Sequence, residues 1–377
     1  MSKNYIYAVA TLIGTIIGAG IFSVPLVTSK AGLIPFYFLL AALVFIQYYL
    51  HQMYAEVVLS TKTEHRIPGY TEIYAGKKYK KIVSVICFLG GFGALLAYII
   101  LGGIFLHGLL GPFFGGTEFI YTMIMFSIGS IIVLFGIKTI ACFEMFMTAF
   151  LLLVVALITL QSIGYIDVGN YTAINWKYSL LPYGLVFFSV GGQTAIPELC
   201  RLLKKEKKKL KSAIFWGTAI PAIITVIFVT VIVGVTGTKT SPDTLVGLKQ
   251  VLPNGVIFFA MTFGFLSVMT SYLSYSQAVR EIFWWDFKFN KYLAWVIASV
   301  IPAGLYVLGV HNLTKVVGIT GSITGGMIGV IVIYLSFITQ TKGQQRSVIK
   351  TGLKKGSALA LACLFILGLL YSLIEAL

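Results

Sequence analysis

The sequence predicts an all-α integral membrane protein, and three observations carry that expectation. The 377 residues are 58% hydrophobic and only 11% charged, where a soluble domain carries about a quarter charged residues. Eleven apolar runs are long enough to cross the membrane as helices, which takes about 20 residues each. Two of these runs are interrupted by glycine and proline at one spacing, Gly20 with Pro25 and Gly192 with Pro197.

The first run, 5–29, contains Gly14-Thr15-Ile16-Ile17-Gly18-Ala19-Gly20-Ile21-Phe22-Ser23-Val24-Pro25. Glycine and proline are poor helix formers, and an unmade backbone hydrogen bond in hydrocarbon costs several kcal/mol. Broken backbone survives at that depth only where protein buries it or where it lines a cavity. Unwinding is expected at Gly18-Ala19-Gly20, which frees N–H groups at the start of a second half-helix. Such a terminus favours a carboxylate. Small-residue helix packing is the competing use of these glycines.

The second run, 31–60, carries His51 and Glu56, the best placed groups for a proton. The third, 82–111, holds Gly90, Gly91, Gly93, Gly102 and Gly103. Close backbone approach is expected at 102–103, and room for a substrate side chain stays open at 90–93. Runs four and five span 118–137 and 140–163. The sixth, 178–199, breaks at Ser189-Val190-Gly191-Gly192-Gln193-Thr194-Ala195-Ile196-Pro197. Carbonyls near Ser189 and Val190 end a half-helix there and suit an ammonium. Phe187 and Phe188 precede the break, placed to close over a ligand or to pack. Run seven is 212–237. Run eight, 252–280, sets Ser267, Thr270, Ser271 and Ser274 on one helical stripe. That stripe serves hydrogen bonds within the protein or a hard cation such as sodium. Runs 292–310, 313–340 and 356–375 complete the set.

Two interrupted helices at matching places in two halves point to a transporter's binding site. No ionisable residue stands at either break, so the ligand described best is a zwitterion, a free α-amino acid. The net charge is +16, yet its placement reads as topology and not as a nucleic-acid surface. With the N-terminus inside, 23 lysines and arginines fall on the inner side and five on the outer. The positive-inside rule then puts the N-terminus in the cytoplasm and the C-terminus outside a plasma (inner) membrane. Lys204 to Lys211 is expected to be a cytoplasmic anchor at the lipid surface. Glu144, Glu198 and Glu281 fall near cytoplasmic ends beside Lys138, Arg201 and Arg280, as gate ion pairs or solvated ends. No phosphate-cradling loop, metal-ligand cluster or nucleophile cluster appears, which argues against an enzyme and against ATP as energy source. The four cysteines are scattered and read as packing residues. No obligatory protein partner is evident.

Residues 14–25 closely resemble the first-span signature of the amino acid–polyamine–organocation superfamily. The eleven runs and the Gly-Gly-Gln-Thr-Ala-Ile-Pro-Glu-Leu stretch at 191–199 look most like its amino acid/auxin permease and aromatic amino acid permease branches. The resemblance implies the leucine-transporter fold, with spans 1 and 6 discontinuous. Residues 1–163 and 178–340 would be two inverted five-span repeats, and 356–377 an added eleventh span. It also implies that Gly18, Ala19, Gly20 and Ile21 meet a substrate carboxylate, and that Ile17, Phe188, Ser189, Gly191 and the neighbouring Gly192 meet its ammonium and side chain. The family's sodium site would match Gly14, Ile17, Ser267, Thr270 and Ser271. No cofactor beyond the coupling ion is expected. Span 5 lacks the lysine that some proton-coupled relatives place at the sodium position. Gln193 or Thr194 replaces the acidic residue of some cationic-substrate relatives, which disfavours basic substrates. The expected function is sodium-coupled symport of a neutral, large or aromatic amino acid by alternating access. Proton-coupled symport and an amino-acid-sensing receptor without net transport are the rival readings.

Overall fold

Helices α1 (Lys3–Ile16) and α2 (Ala19–Ala31) form one span bent by 46°. The computed structural model describes residues 2–135, 149–150, 153–171, 174–249, 253–351 and 355–376. The break falls at Ile17 and Gly18, so Ala19 and Gly20, expected to be unwound, already belong to α2. Gly32 ends α2 at φ 95° and turns the chain into α3 (Leu33–Leu59), a conformation that L side chains rarely adopt.

The connection between the second and third runs contains a further helix, α4 (Ile67–Ala75), which Pro68 opens and Gly76 closes at φ 97°. Its Ile67, Tyr70 and Tyr74 are buried, an i, i+3, i+7 stripe that seats it against α5. Helix α5 (Lys77–Phe114) has 38 residues, about 57 Å of helix, and overhangs the hydrocarbon it would cross. It is followed by α6 (Glu118–Phe135) and α7 (Leu153–Tyr165). Lys138, Cys142 and Glu144 lie outside the described residues.

The second broken span is α8 (Tyr183–Ser189) and α9 (Ile196–Leu202), with a 3-10 turn at Gln193–Ala195 between them. Pro197 sits in the first turn of α9, where a missing N–H costs nothing. Helix α10 (Leu210–Thr236) and the short α11 (Leu245–Leu248) lead to α12 (Asn254–Glu281), which runs on as a π-turn at Ile282–Asp286. The last helices are α13 (Lys291–Val307), α14 (Leu313–Ile323), α15 (Gly329–Lys342) and α16 (Lys355–Ala376). A π-turn at Thr324–Ile328 divides the run expected at 313–340 into α14 and α15.

Among the described residues, six helices are long and apolar enough to cross a membrane alone, and the bent α1–α2 pair makes a seventh crossing. The other expected runs map to α7, to the broken α8–α9 pair, and to α13 and α16. Helix α5 and helix α12 lie at the centre and pack along each other; α5 also meets α4, α6, α13 and α14. Helix α1 packs on α9, α10 and α12, and the 3-10 turn of the second broken span also meets α12. Phe38, Phe45, Ile223, Phe258 and Leu367 point outward, an apolar exterior that suits lipid and not water.

Candidate functional site

Each broken span uses one glycine to approach the other. A side-chain carbon on Gly20 would stand 2.5 Å from the Ser189 Cα, and one on Gly192 would stand 2.7 Å from Leu12 Cδ1. These two glycines, expected to meet substrate, also let the broken spans pack closely. Gly191 differs: its nearest neighbours lie at ordinary contact distance, 3.4 Å and beyond, and it lines a cavity.

At the first break the carbonyls of α1 turn toward α12. Ser267 Oγ donates to Ile17 O at 2.8 Å, and Ser271 Oγ lies 3.3 Å from Gly14 O and 3.4 Å from Ile17 O. The Ser267 carbonyl accepts from Thr270 Oγ1 at 2.9 Å and from Ser271 Oγ at 3.1 Å. Gly14, Ile17, Ser267, Thr270 and Ser271 thus converge in one cluster of carbonyl and hydroxyl oxygens, all from uncharged groups. A hard cation takes such oxygens as ligands. Gly18 faces the same cluster, since a side-chain carbon there would sit 2.5 Å from Ser271 Oγ and 3.1 Å from the Tyr98 ring. Ala19 and Ile21 are buried in the first turn of α2, whose opening N–H groups have no partner in the helix ladder.

At the second break α8 ends at Ser189. Val186 O accepts the Val190 N–H and the Ser189 hydroxyl, and Phe188 O accepts the Gly191 N–H. The Ser189 hydroxyl is therefore already engaged, and its carbonyl is what it offers at the break. The Gly192 N–H donates to His51 Nε2 at 3.2 Å, while His51 Nδ1 lies 3.1 Å from Thr218 Oγ1. With Nε2 accepting, His51 is the neutral tautomer with its proton on Nδ1. Glu56, its companion in the sequence, is engaged elsewhere: Oε2 accepts from Ser336 Oγ at 3.0 Å and Thr351 Oγ1 at 2.6 Å.

The cavity beside the second break is walled by Phe187, Phe188 and Gly191 from the broken span and by Tyr275 and Val279 from α12. Gly91 of α5 also lines it, and a side-chain carbon there would stand 2.7 Å from Val279 Cγ2. Gly102 and Gly103 instead face Met125 and Thr122 of α6. The surroundings are bulky and aromatic. Tyr98 joins cavity and oxygen cluster: its ring lies 6.2 Å from Phe188 and 5.6 Å from Tyr275, and it shares with Ser271 the space that a side chain on Gly18 would enter. Tyr98 and Tyr275 were not among the expected site residues. Tyr275 continues the Ser267, Ser271 stripe by one turn, which is the signal that places it.

The cavity is closed on the side of the basic loops. Arg66, from the connection before α4, donates to Glu281 Oε2 at 2.8 and 2.5 Å and to Thr194 O at 2.6 Å. Glu281 was expected beside Arg280; its partner is Arg66, because α4 folds the connection back under the bundle. Arg280 turns away and donates to Val133 O. Glu198 does pair with Arg201, at 3.6 Å.

A profile of the tryptophan/tyrosine permease family matches residues 1–374. The fold matches the crystal structure of MhsT in complex with L-phenylalanine, with a TM-score of 0.72 and 16% identity over 100% of this chain and 99% of that one. No curated protein matches the chain. The architecture is accordingly the all-helical leucine-transporter fold of a membrane amino acid transporter, and the chain belongs to the tryptophan/tyrosine permease family.

Proposed function

We propose that the chain is a secondary active transporter that moves a neutral aromatic amino acid by alternating access, coupled to sodium. The observation that carries the reading is the convergence of Gly14, Ile17, Ser267, Thr270 and Ser271 oxygens beside an aromatic cavity. A carboxylate at the N-terminus of α2, near Gly18, Ala19, Gly20 and Ile21, gains the partial positive charge of that terminus. An ammonium near the Ile17 and Ser189 carbonyls gains the opposite one. The aromatic ring lies among Phe188, Gly191 and Tyr275. Sodium beside Gly14 and Ile17 holds α1 to α12, so its release loosens the half-helix that must move. Residues 1–163 and 178–340 act as the two inverted repeats, and residues 14–25 support placement in the amino acid–polyamine–organocation superfamily. Partners are the amino acid and the lipid bilayer.

One observation favours proton coupling as a second reading. The neutral His51 accepts the Gly192 N–H at the break; protonation removes that acceptor and releases the break. The test is Thr270→Ala with Ser271→Ala. On the sodium reading the half-saturating sodium concentration for uptake rises about tenfold or more, since two oxygen ligands are lost. An unchanged sodium response rejects the cation assignment.

A further inference from the structure

The cavity has neutral polar groups that the transport cycle described above does not use, among them the Gln193 amide and the Thr194 hydroxyl, which is unpartnered among the described residues. Gln193 lines it, and its amide is held from behind: Nε2 donates to Gln47 Oε1 at 2.6 Å. Gln47 is fully buried on α3 and its own Nε2 has no partner among the described residues, so this contact tethers the Gln193 side chain against α3. That leaves Oε1, which lies 3.5 Å from where a side chain on Gly191 would begin. Among the described residues nothing donates to it. The other strong polar group at this end, Arg66, is committed to Glu281 and to the Thr194 carbonyl.

We infer that Gln193 is a specificity-determining residue, with its Oε1 accepting the ring donor of the substrate, the phenol O–H of tyrosine or the indole N–H of tryptophan. The inference rests on the aromatic-substrate reading and goes beyond it. Phe188 and Tyr275 flank an aromatic ring but do not distinguish one ring from another. An amide oxygen tethered beside the ring does. It pairs with a ring that carries a donor and is left desolvated and unpaired by phenylalanine, which is how a buried polar group rejects an analogue that lacks its partner. An uncharged acceptor also fits a neutral donor better than a cationic side chain, in keeping with the absence of an acidic residue at this break. Gln47 is then a positioning residue, acting through Gln193.

The test is equilibrium binding of labelled tryptophan, tyrosine and phenylalanine to the purified full chain. The wild-type protein is expected to bind tryptophan and tyrosine about 10- to 100-fold more tightly than phenylalanine. Gln193→Met should bring the first two down to the phenylalanine value and leave phenylalanine nearly unchanged, which also shows that the variant is folded. Gln47→Met should lose part of the same preference. Equal wild-type affinities for all three overturn the inference without a variant. So does a Gln193→Met protein that weakens all three alike, or a wild-type protein that binds tyrosine but not tryptophan, since an indole offers only a donor. Binding of none of the three overturns the aromatic-transport reading itself, a result distinct from a missing preference.

Discussion

The Arg66 guanidinium and the Glu281 carboxylate meet with side chains only 7% and 0% exposed, so each charge depends on the other. Removing one partner of a buried pair costs about 3–5 kcal/mol, whereas replacing both with apolar groups is often neutral or better. Arg66→Ala should therefore lower the melting temperature of the detergent-solubilised protein sharply. Arg66→Met with Glu281→Met should recover most of it. If the double variant is as unstable as the single one, the pair is not the reason. At this scale the sequence was partly legible. The hydroxyl stripe on α12 announced itself by helical spacing, and Ser267 and Ser271 do reach the α1 carbonyls. Arg66 did not announce itself, because a loop residue finds its partner only through the path of the chain in three dimensions. Gln193 was noted for what it replaced, but its backing by Gln47 is a contact between α3 and the second break that no local pattern encodes.

The broken spans are paired elements. Gly20 sits against Ser189 of the second break, and Gly192 sits against Leu12 and Ile16 of α1. Gly192→Ala places a carbon 2.7 Å from Leu12 Cδ1 and 2.8 Å from Ile16 Cγ1, so those two α1 side chains must shift to admit it. Overpacking of this kind costs about 1–3 kcal/mol. Uptake should fall while the protein still inserts and binds detergent-stable ligand weakly; the measurement is initial uptake rate beside melting temperature. Wild-type uptake in this variant would mean the contact is not required. The positions of both breaks were legible to within a residue or two, because glycine and proline act on local backbone. What each glycine does there was not, since Gly20 and Gly191 share a chemistry and differ only in what faces them. Helix α4 was hidden for another reason: at 9 residues it is too short for a span, and its apolar stripe is interleaved with polar positions.

For the whole molecule, the charge distribution and the bundle give one picture. The Arg66 network and the basic connections before α4, α10 and α16 sit on segments that the 23-to-5 distribution of lysine and arginine assigns to the cytoplasm. A single cysteine at Lys205 should react with an impermeant thiol reagent only from the inner side, and one at Lys177 only from the outer side. The reverse pattern would invert the topology.

The central claim is that an oxygen cluster at the first break couples a cation to an amino acid held at the second. Uptake of labelled tryptophan into proteoliposomes, driven by a sodium gradient and separately by a proton gradient, tests it most directly. Accumulation with sodium alone is the predicted result, and its loss in the Thr270→Ala, Ser271→Ala protein would place the ion. Accumulation driven only by protons would contradict the sodium assignment and move the coupling to His51.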